Sequence, residues 1–221
     1  MKNNYLYFRH SKIIHAFLLL GVVIGCSSWG FFAHKQINHH AVFSLPSNMI
    51  RFYKSNIDFI AAHSVDPDKR RYVDSLEGPR HFLDVDRYGV NPFGNIPQKW
   101  DEAVAKYSER KLLKNGTVPW QIQKNYRALV DAFQAKDSLR ILKLSADLGH
   151  YIADAHVPLH TTENYNGQLT KQVGIHALWE SRLPELFAQN YNYVVGIAQY
   201  IDSPLAGAWK IVEHTFRYKD S

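Results

Sequence analysis

His150-Tyr-Ile-Ala-Asp154-Ala-His-Val-Pro-Leu-His160, with Gly174-Ile-His176-Ala-Leu-Trp-Glu180 close behind it, is the stretch on which fold and chemistry both turn. His150 and Asp154 are four apart, so a helix sets them on one face, a turn from each other. His176 and Glu180 repeat the spacing. An imidazole and a carboxylate placed this way offer two ligands to one borderline-soft cation, and zinc takes nitrogen together with oxygen. Five ligand-type residues within 31 positions exceed what a single tetrahedral ion accommodates. The stretch therefore predicts a cluster of metals on helices, completed by ligands from elsewhere in the chain.

Apolar residues recur at helical spacing on both sides of that stretch. Ser138 to Ala155 is one such pattern. Others run from Phe31 to Phe43, Lys99 to Leu113, Trp120 to Ala135, His176 to Gln189 and Tyr193 to Ile201, and a last one starts near Pro204. Ser47 reads as the cap of a run with Met49, Ile50, Tyr53, Ile57 and Ile60 on one stripe. Asn91-Pro-Phe-Gly94, Asn115-Gly116 and Asn164-Tyr-Asn-Gly167 punctuate these segments. No period-two strand pattern, repeat or low-complexity tract interrupts them. The expected fold is all-α, a single-domain multi-helix bundle over residues 29–221 with ligands projecting between helices.

The amino terminus reads as an export signal over residues 1–28. Lys2, Arg9 and Lys12 form a basic region, Ile13 to Gly25 an apolar one, and Cys26-Ser27-Ser28 supplies small residues for cleavage before Trp29. The apolar run is short for a membrane span. Val23-Ile24-Gly25-Cys26 also resembles a lipobox, which would place a lipid on Cys26. Both readings take the protein out of the cytoplasm, as a secreted, periplasmic or lipid-anchored envelope protein. Cys26 is the only cysteine, so no internal disulfide is available.

Without the leader, 23 basic residues face 20 acidic ones, and the formal charge falls from +6 to +3. That is too mild to argue for nucleic acid or an anionic membrane by itself. Histidine is the unusual residue, with twelve in the chain.

Further ligand types stand upstream of the opening stretch. Trp29 heads the expected mature chain, His34 follows it, and Asp66 and His81 come next in Asp66-Pro-Asp-Lys-Arg-Arg71 and Pro79-Arg80-His81. In this order the chain resembles the superfamily of zinc-dependent phospholipases C and trinuclear-zinc single-strand nucleases, over roughly residues 29 to 200. The resemblance implies an all-α fold holding three zinc ions with nine ligands: Trp29, His34, Asp66, His81, His150, Asp154, His160, His176 and Glu180. It implies one ion on Asp66, His81, His150 and Asp154, and a second on His160, His176 and Glu180. The third would take the terminal amine and carbonyl of Trp29, His34, and the other oxygen of Asp154, since a carboxylate can bridge. The implied activity is phosphodiester hydrolysis by a metal-activated water, with Asp66 the catalytic residue that orients or deprotonates that water. His39, His40, His63, His156 and His214 match no ligand position. Asp84 and Asp86 are candidates to accept hydrogen bonds from ligand imidazoles.

The two branches of the superfamily differ in substrate, and the chain carries marks of each. The Trp29-to-His34 opening looks like the nuclease branch, whereas Glu180 and the His160-to-His176 interval look like the phospholipase branch. In the choline pocket of the latter, the resemblance places Phe32 where an acidic residue belongs, and Pro67 and Gly78 where aromatics belong. A cationic headgroup needs a carboxylate or an aromatic cage, so choline selectivity is not expected. The leading expectation is an exported phospholipase C-like hydrolase. The alternatives are a single-strand nuclease or nucleotidase with the same metals, and a non-catalytic zinc-binding envelope lipoprotein. No protein partner is implied, and membrane contact is expected only through substrate or a lipidated Cys26.

Overall fold

The computed structural model describes residues 30–220, so the expected leader, Cys26 and Trp29 lie outside the described residues. Among those residues there are helices and no strands. Helix α1 spans Phe31–Ala41, α2 Ser47–Lys54, α3 Ile57–His63 and α4 Asp66–Arg70. Short 3₁₀ turns then lead to α5 (Pro92–Asn95), α6 (Trp100–Tyr107) and α7 (Glu109–Asn115). The two long helices are α8 (Val118–Gln134) and α9 (Ser138–Ala155). Helix α10 (Ile175–Ala177) runs through a π-helical turn, Leu178–Arg182, into α11 (Leu183–Phe187), and α12 (Pro204–Phe216) closes the chain.

Helices α8 and α9 form a hairpin around which the rest packs. Pro119 sits in the first turn of α8, where a missing N–H is harmless. Asp137 caps α9 by accepting from Arg140 N at 3.0 Å. Helix α9 supplies both apolar clusters: Tyr151 and Ala155 join Leu83, Leu112, Val118 and Trp209 in one, and Ile141, Leu142 and Ala146 join Val42, Tyr53 and Ile60 in the other. Burying each such large side chain contributes about 1.5–3 kcal/mol. Trp120 stacks edge-on between Trp100 and Trp209 and donates Nε1–H to Gln98 O at 2.7 Å.

The crossing of α1 over α9 is what positions the site. A Cβ on Gly149 would lie 1.9 Å from Asn38 Oδ1, so only glycine permits this approach. Asn38 Nδ2 donates to Ala146 O at 2.9 Å and fixes the register. One turn before Asn38 on α1, His34 is thereby carried against Asp154 of α9.

Several expected helices are reshaped. The run from Ser47 to Ile60 is two helices, broken at Ser55-Asn56, where Asn56 Nδ2 donates to Phe52 O. Pro46, not Ser47, holds the cap position of α2, and it offers no side-chain cap. The Lys99-to-Leu113 pattern splits at Ser108, whose φ of 69° ends α6 and starts α7. Tyr193 to Ile201 is irregular rather than helical. Gly196 has φ 87° there, Val194, Val195, Ile197 and Tyr200 are exposed, and a short helix with no face to bury has nothing to offset its nucleation cost.

Candidate metal centre

The candidate ligands reach the interior from several elements, and three groups result. His34 on α1 meets His150 and Asp154 on α9; Asp68 on α4 meets His81 and His150; His160 meets His176 and Glu180. Within each group the ligand atoms lie within 4.8 Å of one another. The segment carrying His160 is pinned to the segment after His81, with Leu83 N donating to His160 O at 2.9 Å and Val85 N to Thr161 O at 3.0 Å. The π-helical turn after α10 widens the helix at Glu180, as such turns often do at functional sites.

Asp154 is at the centre. Its Oδ2 lies 2.9 Å from His81 Nδ1 and 3.2 Å from His150 Nε2, while Oδ1 lies 3.3 Å from His34 Nε2. Asp68 Oδ1 completes the first two at 3.7 Å from His81 Nδ1 and 3.8 Å from His150 Nε2. In the third group His160 Nε2 is 2.8 Å from Glu180 Oε1, His176 Nε2 is 3.0 Å from Glu180 Oε2, and the two Nε2 atoms are 3.4 Å apart. Donors bound at about 2.0–2.2 Å to one tetrahedral ion stand roughly 3.3–3.6 Å apart, which is the middle of these separations.

The outward ring nitrogens test whether these residues suit a cation. His150 Nδ1 contacts Ser64 O at 2.8 Å, His160 Nδ1 contacts His81 O at 2.8 Å and His176 Nδ1 contacts Tyr165 O at 2.9 Å. A carbonyl only accepts, so each Nδ1 carries the proton and, in the neutral ring, each Nε2 turns its lone pair inward. Those lone pairs face carboxylate oxygens and one another. Glu180 Oε1 is buried and faces His160 Nε2. Such an arrangement is repulsive until positive charge stands inside it, and the fixing of tautomers by outer carbonyls is how metal-ligating histidines are held. The residues fit zinc.

The electrostatics agree. Burial lowers the basicity of His160, but the Glu180 and Asp154 charges outweigh it and push the imidazole up to about 10. Burial raises Asp154 and Glu180, yet the neighbouring imidazoles hold both well below the usual carboxylate range. Such a field calls for cationic charge in the cluster.

Not every residue singled out in the sequence arrives there. Asp66, the expected ligand and catalytic carboxylate, contacts His63 Nδ1 at 2.5 Å and Lys69 Nζ at 3.0 Å, about a third exposed. Asp68 stands in the cluster in its stead. Asp86 accepts from Thr162 Oγ1 at 2.6 Å and Glu163 N at 3.1 Å, bracing the chain after His160 rather than an imidazole. Asp84 is pushed up to about 7 by burial and by the Asp86 charge. Asn164 and Asn166 accept from Leu169 N and Gly174 N and shape the loop before α10. Trp29 lies outside the described residues, but its neighbour Gly30 donates to Ser181 Oγ at 2.9 Å, and a Cβ on Gly30 would be 3.4 Å from Glu180 Oε2.

Residues 33–219 match the family described as zinc dependent phospholipase C. The chain therefore belongs to the zinc-dependent phospholipase C family, a membership that points to a hydrolase of phosphodiesters and agrees with the all-helical fold. Comparison with curated proteins and comparison with solved structures each returned no match.

Proposed function

We propose that the protein is an exported phospholipase C-like hydrolase that cleaves phospholipid headgroups at the glycerol–phosphate bond and holds three zinc ions. The observation that carries this reading is that outer carbonyls hold His150, His160 and His176 through Nδ1 and turn each Nε2 toward a cluster carboxylate. One ion would be held by Asp68, His81, His150 and Asp154, and a second by His160, His176 and Glu180. A third would be held by His34, Asp154 and the amine and carbonyl of Trp29. The position of Gly30 beside Glu180 and His34 supports placing Trp29 there.

Bound zinc supplies Lewis acidity and water activated near neutral pH. The residues supply the rest. Asp154 uses both oxygens to keep two ligand groups in one register. The carbonyls of Ser64, His81 and Tyr165 keep the imidazoles from rotating away. Asp68 is the most solvent-accessible cluster carboxylate, its side chain 16% exposed against 2% for Asp154 and 10% for Glu180. It is therefore the carboxylate placed to orient water at the open edge and to take its proton, the role read from the sequence for Asp66.

The test is hydrolysis of short-chain phospholipids by protein beginning at Trp29 and loaded with zinc. Release of diacylglycerol, lost on chelation and restored by zinc, is the expected result. Cleavage of single-stranded DNA without diacylglycerol would select the nuclease alternative, and neither activity would favour the zinc-binding lipoprotein.

A further inference from the structure

Four of the five cluster histidines turn Nε2 inward: His34, His150, His160 and His176. His81 does the reverse. Its Nδ1 faces Asp154 Oδ2 at 2.9 Å and His150 Nε2 at 3.0 Å. A ring that ligates through Nδ1 must carry its proton on Nε2, and that N–H points away from the ion and needs its own acceptor. Backbone carbonyls serve His150, His160 and His176. None serves His81: its Nε2 is buried with no partner inside hydrogen-bond distance, and Glu77 Oε1 stands 3.6 Å away.

Glu77 is fully buried, at 0% exposure, a position in which a carboxylate persists only when paired. Arg70 Nε at 3.2 Å and Arg80 Nη1 at 2.5 Å donate to its Oε2. The Tyr151 hydroxyl donates to Oε1. Arg70 is itself clamped by Asp147, Nη2 to Oδ2 at 2.8 Å and Nη1 to Oδ1 at 3.3 Å. Two guanidinium groups thus occupy one oxygen and leave the other facing the His81 ring, across which Tyr151 packs edge-on.

We propose that Glu77 is a positioning residue that holds His81 in its Nε2-protonated form and so assigns Nδ1 to the zinc. This rests on the reading of His81 as a ligand. The chemistry of Glu77→Gln follows from the arginines. They must be met by the amide oxygen, which turns the amide NH₂ toward Tyr151 and His81. His81 Nε2 is then asked to accept, and its proton moves to Nδ1, onto the lone pair the ion requires.

The test uses the full chain purified with zinc. Zinc dissociation constants are measured by competition with a chromophoric chelator for wild type, Glu77→Gln, Asp147→Asn and His81→Ala, beside melting temperatures in excess chelator. Glu77→Gln is expected to weaken one zinc by about 10–100-fold, the range for loss of an outer partner of a ligating histidine. Asp147→Asn loosens the same buried network without touching His81, so it lowers the melting temperature and leaves zinc affinity unchanged. If Glu77→Gln keeps wild-type affinity, or if zinc and melting temperature fall in parallel in both variants, Glu77 only packs and the proposal is overturned. Unaltered zinc in His81→Ala would instead remove His81 from the ligand set. Long-range ¹H–¹⁵N NMR of the zinc-loaded wild type decides independently of how the variants fold: protonated Nε2 with metal-shifted Nδ1 is expected at His81, and the opposite pattern overturns the proposal.

Discussion

His34 Nε2 lies 3.3 Å from Asp154 Oδ1, the oxygen opposite the one that faces His81 Nδ1 at 2.9 Å. One carboxylate thereby ties α1, α9 and the 3₁₀ turn of His81 into a single cluster. Asp154→Asn removes the charge shared by two groups, whereas Glu180→Gln affects one. Asp154→Asn is expected to lose two ions and Glu180→Gln one, with activity falling further in the former. Elemental analysis of the two variants checks this, and wild-type zinc content in Asp154→Asn would refute the bridge.

Asp66 and Asp68 should separate cleanly. Asp68 Oδ1 points at two candidate ligand imidazoles, while Asp66 pairs with His63 and Lys69 at the surface. Asp68→Asn is expected to lower kcat by at least about 10²-fold, in the range for loss of general acid–base catalysis, and to weaken zinc binding. Asp66→Asn removes a partly exposed pair worth at most about 1 kcal/mol and should leave rate and zinc content near wild type. Steady-state kinetics on both variants decides the assignment, and the reverse order would restore Asp66.

Headgroup preference should be weak. Phe32 stands where the family resemblance calls for an acidic residue, and with Asp68 as the ligand the residue that follows it is Lys69 rather than an aromatic. A lysine repels a quaternary ammonium instead of caging it. Phosphatidylcholine and phosphatidylethanolamine are expected to differ by less than about tenfold in kcat/KM, or about 1.4 kcal/mol. A larger preference for choline, measured with matched acyl chains, would show a cage that this mapping misses.

Acid stability should report on Glu77. Burial raises its carboxyl, but the nearby His81 ring, the Tyr151 hydroxyl and the Arg70 charge outweigh burial and hold it well below its ordinary 4.5. The unfolded chain therefore takes up the proton first. The stabilising contribution is complete above the unfolded value and is lost as pH falls below it, with a slope of up to about 1.4 kcal/mol per pH unit for one proton. Denaturant unfolding in chelator should show a shallower decline below pH 4.5 for Glu77→Gln than for wild type. Equal slopes would mean that Glu77 is not ionised in the folded protein.

The sequence carried the helical bundle and most of the cluster because those signals are local. His150 with Asp154, and His176 with Glu180, each lie within about one turn, so spacing alone sets a common direction. Asp66 and Asp68 straddle Pro67 on a five-residue helix, and only the placement of α4 against α9 decides which one turns inward. Glu77 sits in a run dense in Arg and Asp that reads as solvated, and its burial depends on Tyr151 and Arg70 meeting it from other elements. The same dependence on tertiary context explains Tyr193 to Ile201, where helical spacing is present but no surface receives the helix.

Zinc content measured on active protein beginning at Trp29, purified without chelator, bears most directly on the central claim. Eight candidate ligands gathered into three groups, with Trp29 as the proposed ninth, should yield close to three ions per chain, with chelation lowering the melting temperature because binding is coupled to folding. One ion or none, in protein that still hydrolyses phosphodiesters, would contradict a trinuclear centre built on Asp154.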